Sequence, residues 1–366
     1  MTAMSSRCEA DDRATENTQS TEKGKRQRGV TNVEHVKFGN TGMSVSRLCL
    51  GAMEFPTEVE EDVARGIIDK AIDNGINFID TADAYARGAS EEFLGRALKG
   101  GKRDKIVIAT KFWARMYDEP TGRGCSRYHI MHAVQDSLRR LQTDHIDLYQ
   151  LHHPDLNTPV EELLSTLDTL VQQGKVRYIG VSNHYAWQMA HMLGVSALHN
   201  WEPICSIQCR YSIIDRAVEV ETVPFCERFN IAMIPYGPLA GGVLTGKYER
   251  GKPFPEGSRV ARIKRMQADM TDEVYDILDE LRAMAEKYAI AMNQLAVVWL
   301  LSKPVVTSSI LGGKRPEHFD PMYEVLDIEI EEEDLKHIDE ISAGHVHQPF
   351  ANQPITQGPE LALNRL

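Results

Sequence analysis

The feature that most limits what this chain can fold into is an alternation. Short, apolar, β-branched runs take turns with amphipathic runs of helical spacing along most of its length. VSRLCLGAM (45–53) reads as a strand. EEDVARGIIDKAIDNG (60–75) reads as a helix, with Val63, Ile67, Ile68, Ala71 and Ile72 on one side and Gly75 as its stop. INFIDT is a strand, SEEFLGRAL (90–98) a Ser-capped helix, and KIVIATK (105–111) a strand. The pattern continues with a helix over 127–141, the strand HIDLYQLH (145–152), the helix PVEELLSTLDTLVQQG (159–174) and the strand KVRYIGVS (175–182). Next come the helix HYAWQMAHML, the strand ICSIQC (204–209), the helix RAVEVETVPFCERF and the strand NIAMIPY (230–236). Helices over 272–288 and 292–302, the strand VVTSSIL (305–311) and a helix from Pro316 complete eight strand-then-helix units. Strands apolar on both faces belong to a parallel sheet covered by helices. Eight such units predict an α/β fold of the (β/α)8 TIM-barrel type, one domain over 34–345. A doubly wound sheet would carry G-x-G-x-x-G after its first strand, where this chain has GAMEFP.

Both ends fall outside the pattern. Residues 1–33 are polar and nearly free of large apolar side chains, and read as a disordered tail. Residues 346–366 read as a C-terminal tail and a candidate lid. The net charge of −12 argues against nucleic acid or an anionic membrane as the main partner, and no apolar run is long enough to span a bilayer. The 6 cysteines include no C-x-x-C pair and no zinc-type spacing. They read as reduced, buried thiols of a cytoplasmic protein with no metal site.

In a TIM barrel the chemistry gathers at the C-terminal ends of the strands. Those ends carry Asp80 and Tyr85, then Lys111, then His152 and His153, then Ser182 and Asn183, Gln208, Tyr236, and finally Gly312, Gly313, Lys314 and Arg315. Taken singly, each has a plain reading as a turn, cap or solvated charge. Asp, Tyr, Lys and His at three consecutive strand ends point to one place. A tyrosine of ordinary pKa is a poor proton donor at neutral pH, and a neighbouring ammonium makes it a better one. A carboxylate anchors that ammonium, and an imidazole orients a carbonyl oxygen. Asp80 is the expected anchor of Lys111, and Tyr85 the proton donor.

With those residues in view, the chain resembles the aldo-keto reductases. FIDTADAY with SEEFLGRAL, IATKF, DLYQLHHPD, KVRYIGVSN, IQCRYSIIDR, PYGPLAGGVLTGKY and GGKRPEH follow the order of that family's signatures from about residue 34 to about 342. The resemblance implies a (β/α)8 barrel, NADPH/NADP+ as cofactor, and a catalytic tetrad of Asp80, Tyr85, Lys111 and His152. It also implies Ser182, Asn183 and Gln208 as partners of the nicotinamide carboxamide, and Tyr236 as the ring stacked on the nicotinamide. The loop carrying Gly237, Leu239, Gly241 and Lys247 would approach the pyrophosphate through its backbone. Gly312, Lys314, Arg315, Glu317 and His318 match the adenosine phosphate site. Independently of the family, two cations beside a helix start suit a phosphate.

The pattern departs in four places. Ala86 follows Tyr85 where the family usually has Gly, Gly237 stands where many members have Ser, and Pro321 and Met322 replace an acidic residue and an Asn that grip adenine. That contact would pass to Glu317. For the substrate mouth the candidates are Met53, Phe55, Trp113 and His153, with the insertion ARMYDEPTGRGCS (114–126) overhanging. Trp113 reads equally well as a rim-packing residue. The expected partner is a small carbonyl or alcohol; oligomeric state is left open. Two other classes bear on the reading. The chain is also similar to potassium channel β subunits, aldo-keto reductase barrels that serve as channel partners. A metal-dependent barrel hydrolase would usually show His-x-His at the end of the first strand, where this chain has Gly51-Ala52-Met53.

Overall fold

The computed structural model describes residues 33–345, so the tails read over 1–33 (apart from Val33) and 346–366 lie outside the described residues. An antiparallel hairpin, β1 (His35–Lys37) and β2 (Ser44–Ser46), comes first. Eight parallel strands follow: β3 (Leu48–Gly51), β4 (Phe78–Asp80), β5 (Val107–Phe112), β6 (Ile146–Leu151), β7 (Val176–Ser182), β8 (Ile204–Gln208), β9 (Ala232–Met233) and β10 (Ser309–Leu311). They are neighbours in chain order, with β10 returning to β3. The Thr307 amide donates to the Met233 carbonyl (2.8 Å) and the Ile310 amide to the Pro235 carbonyl (2.9 Å), which closes the last strand onto β9. The fold is a (β/α)8 TIM barrel.

The helices are α1 (Glu61–Asp73), α2 (Ala89–Ala97), α3 (Arg127–Leu141), α4 (Val160–Gln172), α5 (Ala186–His199), α6 (Thr222–Phe229), α7 (Arg259–Arg262), α8 (Lys264–Ala268), α9 (Asp272–Lys287), α10 (Met292–Leu301), α11 (Pro316–Phe319) and α12 (Glu332–Ile341). The larger ones bury an apolar face. In α1 this face is Ala64, Ile67, Ile68 and Ala71.

Several elements differ from the sequence reading: Ser90 lies inside α2, which starts at Ala89 without a side-chain cap, the strand read over 230–236 is regular only at Ala232–Met233, and α7 and α8 are additional. The run 45–53 is divided: its start pairs in the hairpin, and only Leu48–Gly51 enters the barrel. Ser46, at the division, accepts from and donates around Asn77, whose Oδ1 takes the Ser46 amide (2.8 Å). The helix expected from Arg216 begins at Thr222, because Arg216 is held by Glu219 and by Ser342 Oγ (2.9 Å) in a turn of its own. The acidic helix α12 docks through Asp339, which accepts from Trp299 Nε1 (2.9 Å).

The barrel interior is layered by the two-residue period of strands. Phe78, Ala109 and Leu148 point inward and pack with Cys49, Cys205, Ala232, Ile234 and Ile310. The hairpin plugs that end, with Phe38 edge-on to Phe78 at 5.9 Å. Two residues farther along β4, β5 and β6, the inward positions are Asp80, Lys111 and Gln150. One strand period therefore separates the apolar layer from a polar one at the C-terminal mouth. On β7, a Cβ at Gly180 would fall 2.4 Å from Ser206 Oγ and 3.1 Å from Gln150 Cγ, so glycine there leaves room for the Gln150 side chain.

Candidate active site

The polar layer is organised by one buried ion pair. Lys111 Nζ lies 2.6 Å from Asp80 Oδ1, with the two side chains 0% and 3% exposed. The ammonium also donates to the Thr81 carbonyl (2.9 Å) and to Tyr85 Oη (3.2 Å), which uses all three of its hydrogens. Asp80 Oδ2 accepts from Gln208 Nε2 (2.8 Å) and Gln150 Nε2 (3.2 Å). A buried charge pair is costly unless both members are saturated in this way. Burial lowers the Lys111 pKa, but the Asp80 carboxylate and the Tyr85 oxygen outweigh it and the net shift is upward. Lys111 is therefore a cation at neutral pH.

Tyr85 leaves β4 on a tight turn, Tyr85–Gly88, in which Ala86 (φ 50°) and Arg87 (φ 53°) are left-handed. Alanine at the position where glycine is usual costs about 1–2 kcal/mol. Burial raises the Tyr85 pKa and the Lys111 cation pulls it back, with a net rise. The phenol is protonated at neutral pH. His152 stands edge-on to the Tyr85 ring at 5.8 Å. Burial, then repulsion by Lys111, holds its pKa well below 6.5, so the imidazole is neutral. The Asn183 amide donates to the His152 carbonyl (3.1 Å). Asp80, Tyr85, Lys111 and His152 are thus brought to one place.

Around the mouth, Ser182 Oγ accepts from Asn183 Nδ2 (3.0 Å), and Tyr236 Oη donates to Asn183 Oδ1 (2.9 Å). Gln208, expected to meet a carboxamide, donates its amide nitrogen to Asp80 Oδ2. Gly237 (φ 69°) opens a loop past Leu239 in which Gly241 (φ 67°) and Gly242 (φ 97°) are both left-handed. A Cβ on Gly242 would fall 3.2 Å from Lys247 Nζ, and the φ of 97° there is one that glycine adopts freely. At the end of β10, Gly312 and Arg315 are exposed, Lys314 pairs with Glu58, and the Lys314 amide donates to His318 Nδ1 (3.1 Å). Glu317 is exposed beside them, while Met322 is buried and Pro321 accepts from Gln294 Nε2 (2.9 Å). The glycine loop with Lys247, Lys314 and Arg315 suits a phosphorylated dinucleotide, and Tyr236 and Asn183 offer a flat ring and an amide near the tetrad.

At the substrate side, Met53 is 46% exposed. Phe55 is fully buried, edge-on to Phe93 at 5.8 Å, so it supports the mouth from below and presents no surface to a substrate. Trp113 is partly exposed and meets the His153 ring at 4.9 Å. Burial holds the His153 pKa down to about 4. Sequence reasoning missed Gln150, whose strand position two residues after inward Leu148 was the available signal. It also missed Glu54 and Glu58, which tie the loop before α1 to Arg259 and Arg262 on α7, with Glu58 at 4.0 Å from Arg262. Nothing in the local pattern of those loop residues marks them. Among the described residues, no group of three or more His, Cys, Asp or Glu stands where it could hold a metal.

Residues 47–343 match the model of the aldo/keto reductase family, and the chain belongs to that family. It is 34% identical over 322 residues to an uncharacterized oxidoreductase, YrpG, of Bacillus subtilis, covering 85% of this chain and 97% of that one. It is 30% identical over 333 residues to a versiconal hemiacetal acetate reductase of Aspergillus parasiticus (84% and 96% covered). It is also 33% identical over 305 residues to a probable voltage-gated potassium channel subunit beta of Arabidopsis thaliana (81% and 92%).

Proposed function

We propose that the protein is an NADPH-dependent reductase of aldehydes or ketones, or an oxidant of secondary alcohols in the reverse direction, with Tyr85 as general acid and base. The observation that carries the reading is the Asp80–Lys111–Tyr85 chain of 2.6 Å and 3.2 Å contacts beside a neutral His152. The nicotinamide, when bound, supplies the hydride. The chain's own residues do the rest. His152 orients the carbonyl oxygen with an uncharged N–H. Tyr85 gives that oxygen its proton as negative charge develops on it. Lys111 stabilises the phenolate left behind, and Asp80 keeps Lys111 in place. In the reverse direction the phenolate takes the alcohol proton.

For the cofactor, Ser182, Asn183, Gln208 and Tyr236 would hold the nicotinamide, and Gly237, Leu239, Gly241 and Lys247 the pyrophosphate. Lys314, then Arg315, would meet a 2′-phosphate, with Glu317 and His318 alongside. The fixed cations favour NADPH over NADH. We read the partner as a small molecule and the compartment as cytoplasmic. The described cysteines are all free and buried, and no helix among the described residues is long and apolar enough to cross a membrane.

The test is NADPH oxidation against a panel of carbonyl compounds, with NADH in parallel. A second reading, a regulatory barrel of a membrane channel, is favoured by the likeness to the plant channel subunit. NADPH binding without turnover in either direction would move the assignment to it.

A further inference from the structure

The outer wall of the mouth is a ladder of ring contacts that ends on a cation. From the His152 imidazole, the His153 ring lies 5.0 Å away and nearly parallel, at 11°. Trp113 follows at 4.9 Å, tilted by 57°. The Arg123 guanidinium stands 5.8 Å from the Trp113 ring centre. The ladder therefore runs from a group of the tetrad to a group of the 114–126 insertion.

Its outer end is held in place by the backbone. Trp113 has φ 126°, which a bulky side chain adopts only under constraint. The constraint is local: the Gly124 amide donates to the Trp113 carbonyl (2.9 Å), so the loop returns to the Trp113 backbone one residue after Arg123.

A carboxylate held to that loop, Asp155, accepts from the Cys125 amide (2.8 Å). Among the described residues, Arg96, Arg103, Arg140, Arg216, Arg250 and Arg259 pair with carboxylates, whereas Arg87, Arg115 and Arg315 do not. Arg123 is exposed and, among the described residues, has no ion pair and no hydrogen bond from its side chain. A guanidinium matches a carboxylate in shape as well as charge, and lying over an indole leaves its edge free to do so. The neutral His153 between it and the tetrad adds no competing positive charge.

We propose that Arg123 is a specificity-determining residue, and that the site prefers carbonyl compounds with a flat ring and an anionic group, a carboxylate foremost. The ring lies along His153 and Trp113 while the carboxylate reaches Arg123. This rests on the carbonyl reductase reading.

The test uses para-formylbenzoate and its methyl ester, which share a ring and a carbonyl and differ in charge. In Arg123→Ala, kcat/KM for the acid relative to the ester falls about five-fold, through KM, with the ester unchanged. That is the worth of ~1 kcal/mol, at 1.4 kcal/mol per tenfold. Arg123→Lys keeps part of the preference, and raised salt reduces it in the wild type. An acid-to-ester ratio unmoved by Arg123→Ala overturns the proposal, and so does a preference that only Arg87→Ala removes. If neither aldehyde turns over, the reductase reading fails separately, and tryptophan fluorescence titration with the same pair still decides. Selective loss of acid binding in Arg123→Ala supports the proposal; equal binding of both compounds to both proteins overturns it.

Discussion

The Lys111 ammonium lies 3.2 Å from the Tyr85 hydroxyl, and its other two hydrogens are taken by Asp80 and the Thr81 carbonyl. The arrangement leaves Lys111 no freedom to turn away from the phenol. It also makes stability and proton donation depend on the same contacts.

Replacing Lys111 with methionine should therefore do two things. It leaves the Asp80 carboxylate buried without its cation, at a cost of about 3–5 kcal/mol in urea unfolding. It also raises the Tyr85 pKa further, since Lys111 is what opposes the effect of burial. The pH–rate profile for alcohol oxidation, where the phenolate is needed, should move its rising limb to higher pH. Because the folded pKa of Lys111 lies above 10.5, the stability it contributes is present below that pH and is lost as pH rises through the folded value. A variant as stable as the wild type at neutral pH would contradict the account of the pair.

The mouth histidines act in the opposite sense. Burial depresses His153 to about 4 and His184 to about 3, from 6.5 when unfolded. A depressed pKa gives stability that is present above pH 6.5 and lost as pH falls toward the folded values. His184 is fully buried, with Nδ1 at 2.8 Å from the Ser182 carbonyl. The urea midpoint should fall between pH 6.5 and 4, and less steeply in His184→Phe. An unchanged slope would show that other groups carry the acid sensitivity.

At the far side of the site, Glu58 pairs with Lys314 and so competes with any phosphate for it. Glu58→Gln should tighten NADP+ binding several-fold by fluorescence titration and leave NAD+ almost unaffected. Lys314→Ala should weaken NADP+ by about tenfold, the loss of one charge-assisted contact of ~1.4 kcal/mol. Equal effects on both nucleotides would remove Lys314 from the 2′-phosphate site.

What could be read in the sequence follows what is periodic. The helix over 127–141 and the strand core of 175–182 are recognisable because one apolar face repeats along each. The four polar groups Asp80, Tyr85, Lys111 and His152 are legible because a parallel barrel places its strand ends together. A helix start at Pro316 is legible too, but its end after four residues and the 3-10 turn from Asp320 are not, since a helix that short has no period. Phe55 illustrates the other limit: local sequence names an aromatic near the mouth, but only packing against Phe93 decides that it faces inward. The pairs Glu54–Arg259 and Glu58–Lys314 join residues more than 200 apart, and no local pattern predicts which exposed charges will meet.

The most direct test of the account is NADPH oxidation by the purified protein with a panel of aldehydes and ketones, beside Tyr85→Phe, which removes one hydroxyl and keeps the ring. The account predicts turnover in the wild type, a loss of about 10²–10⁴-fold in the variant, and NADPH binding kept in both. A Tyr85→Phe protein that turns over at the wild-type rate would contradict the central claim that this phenol, set beside Lys111, moves the proton.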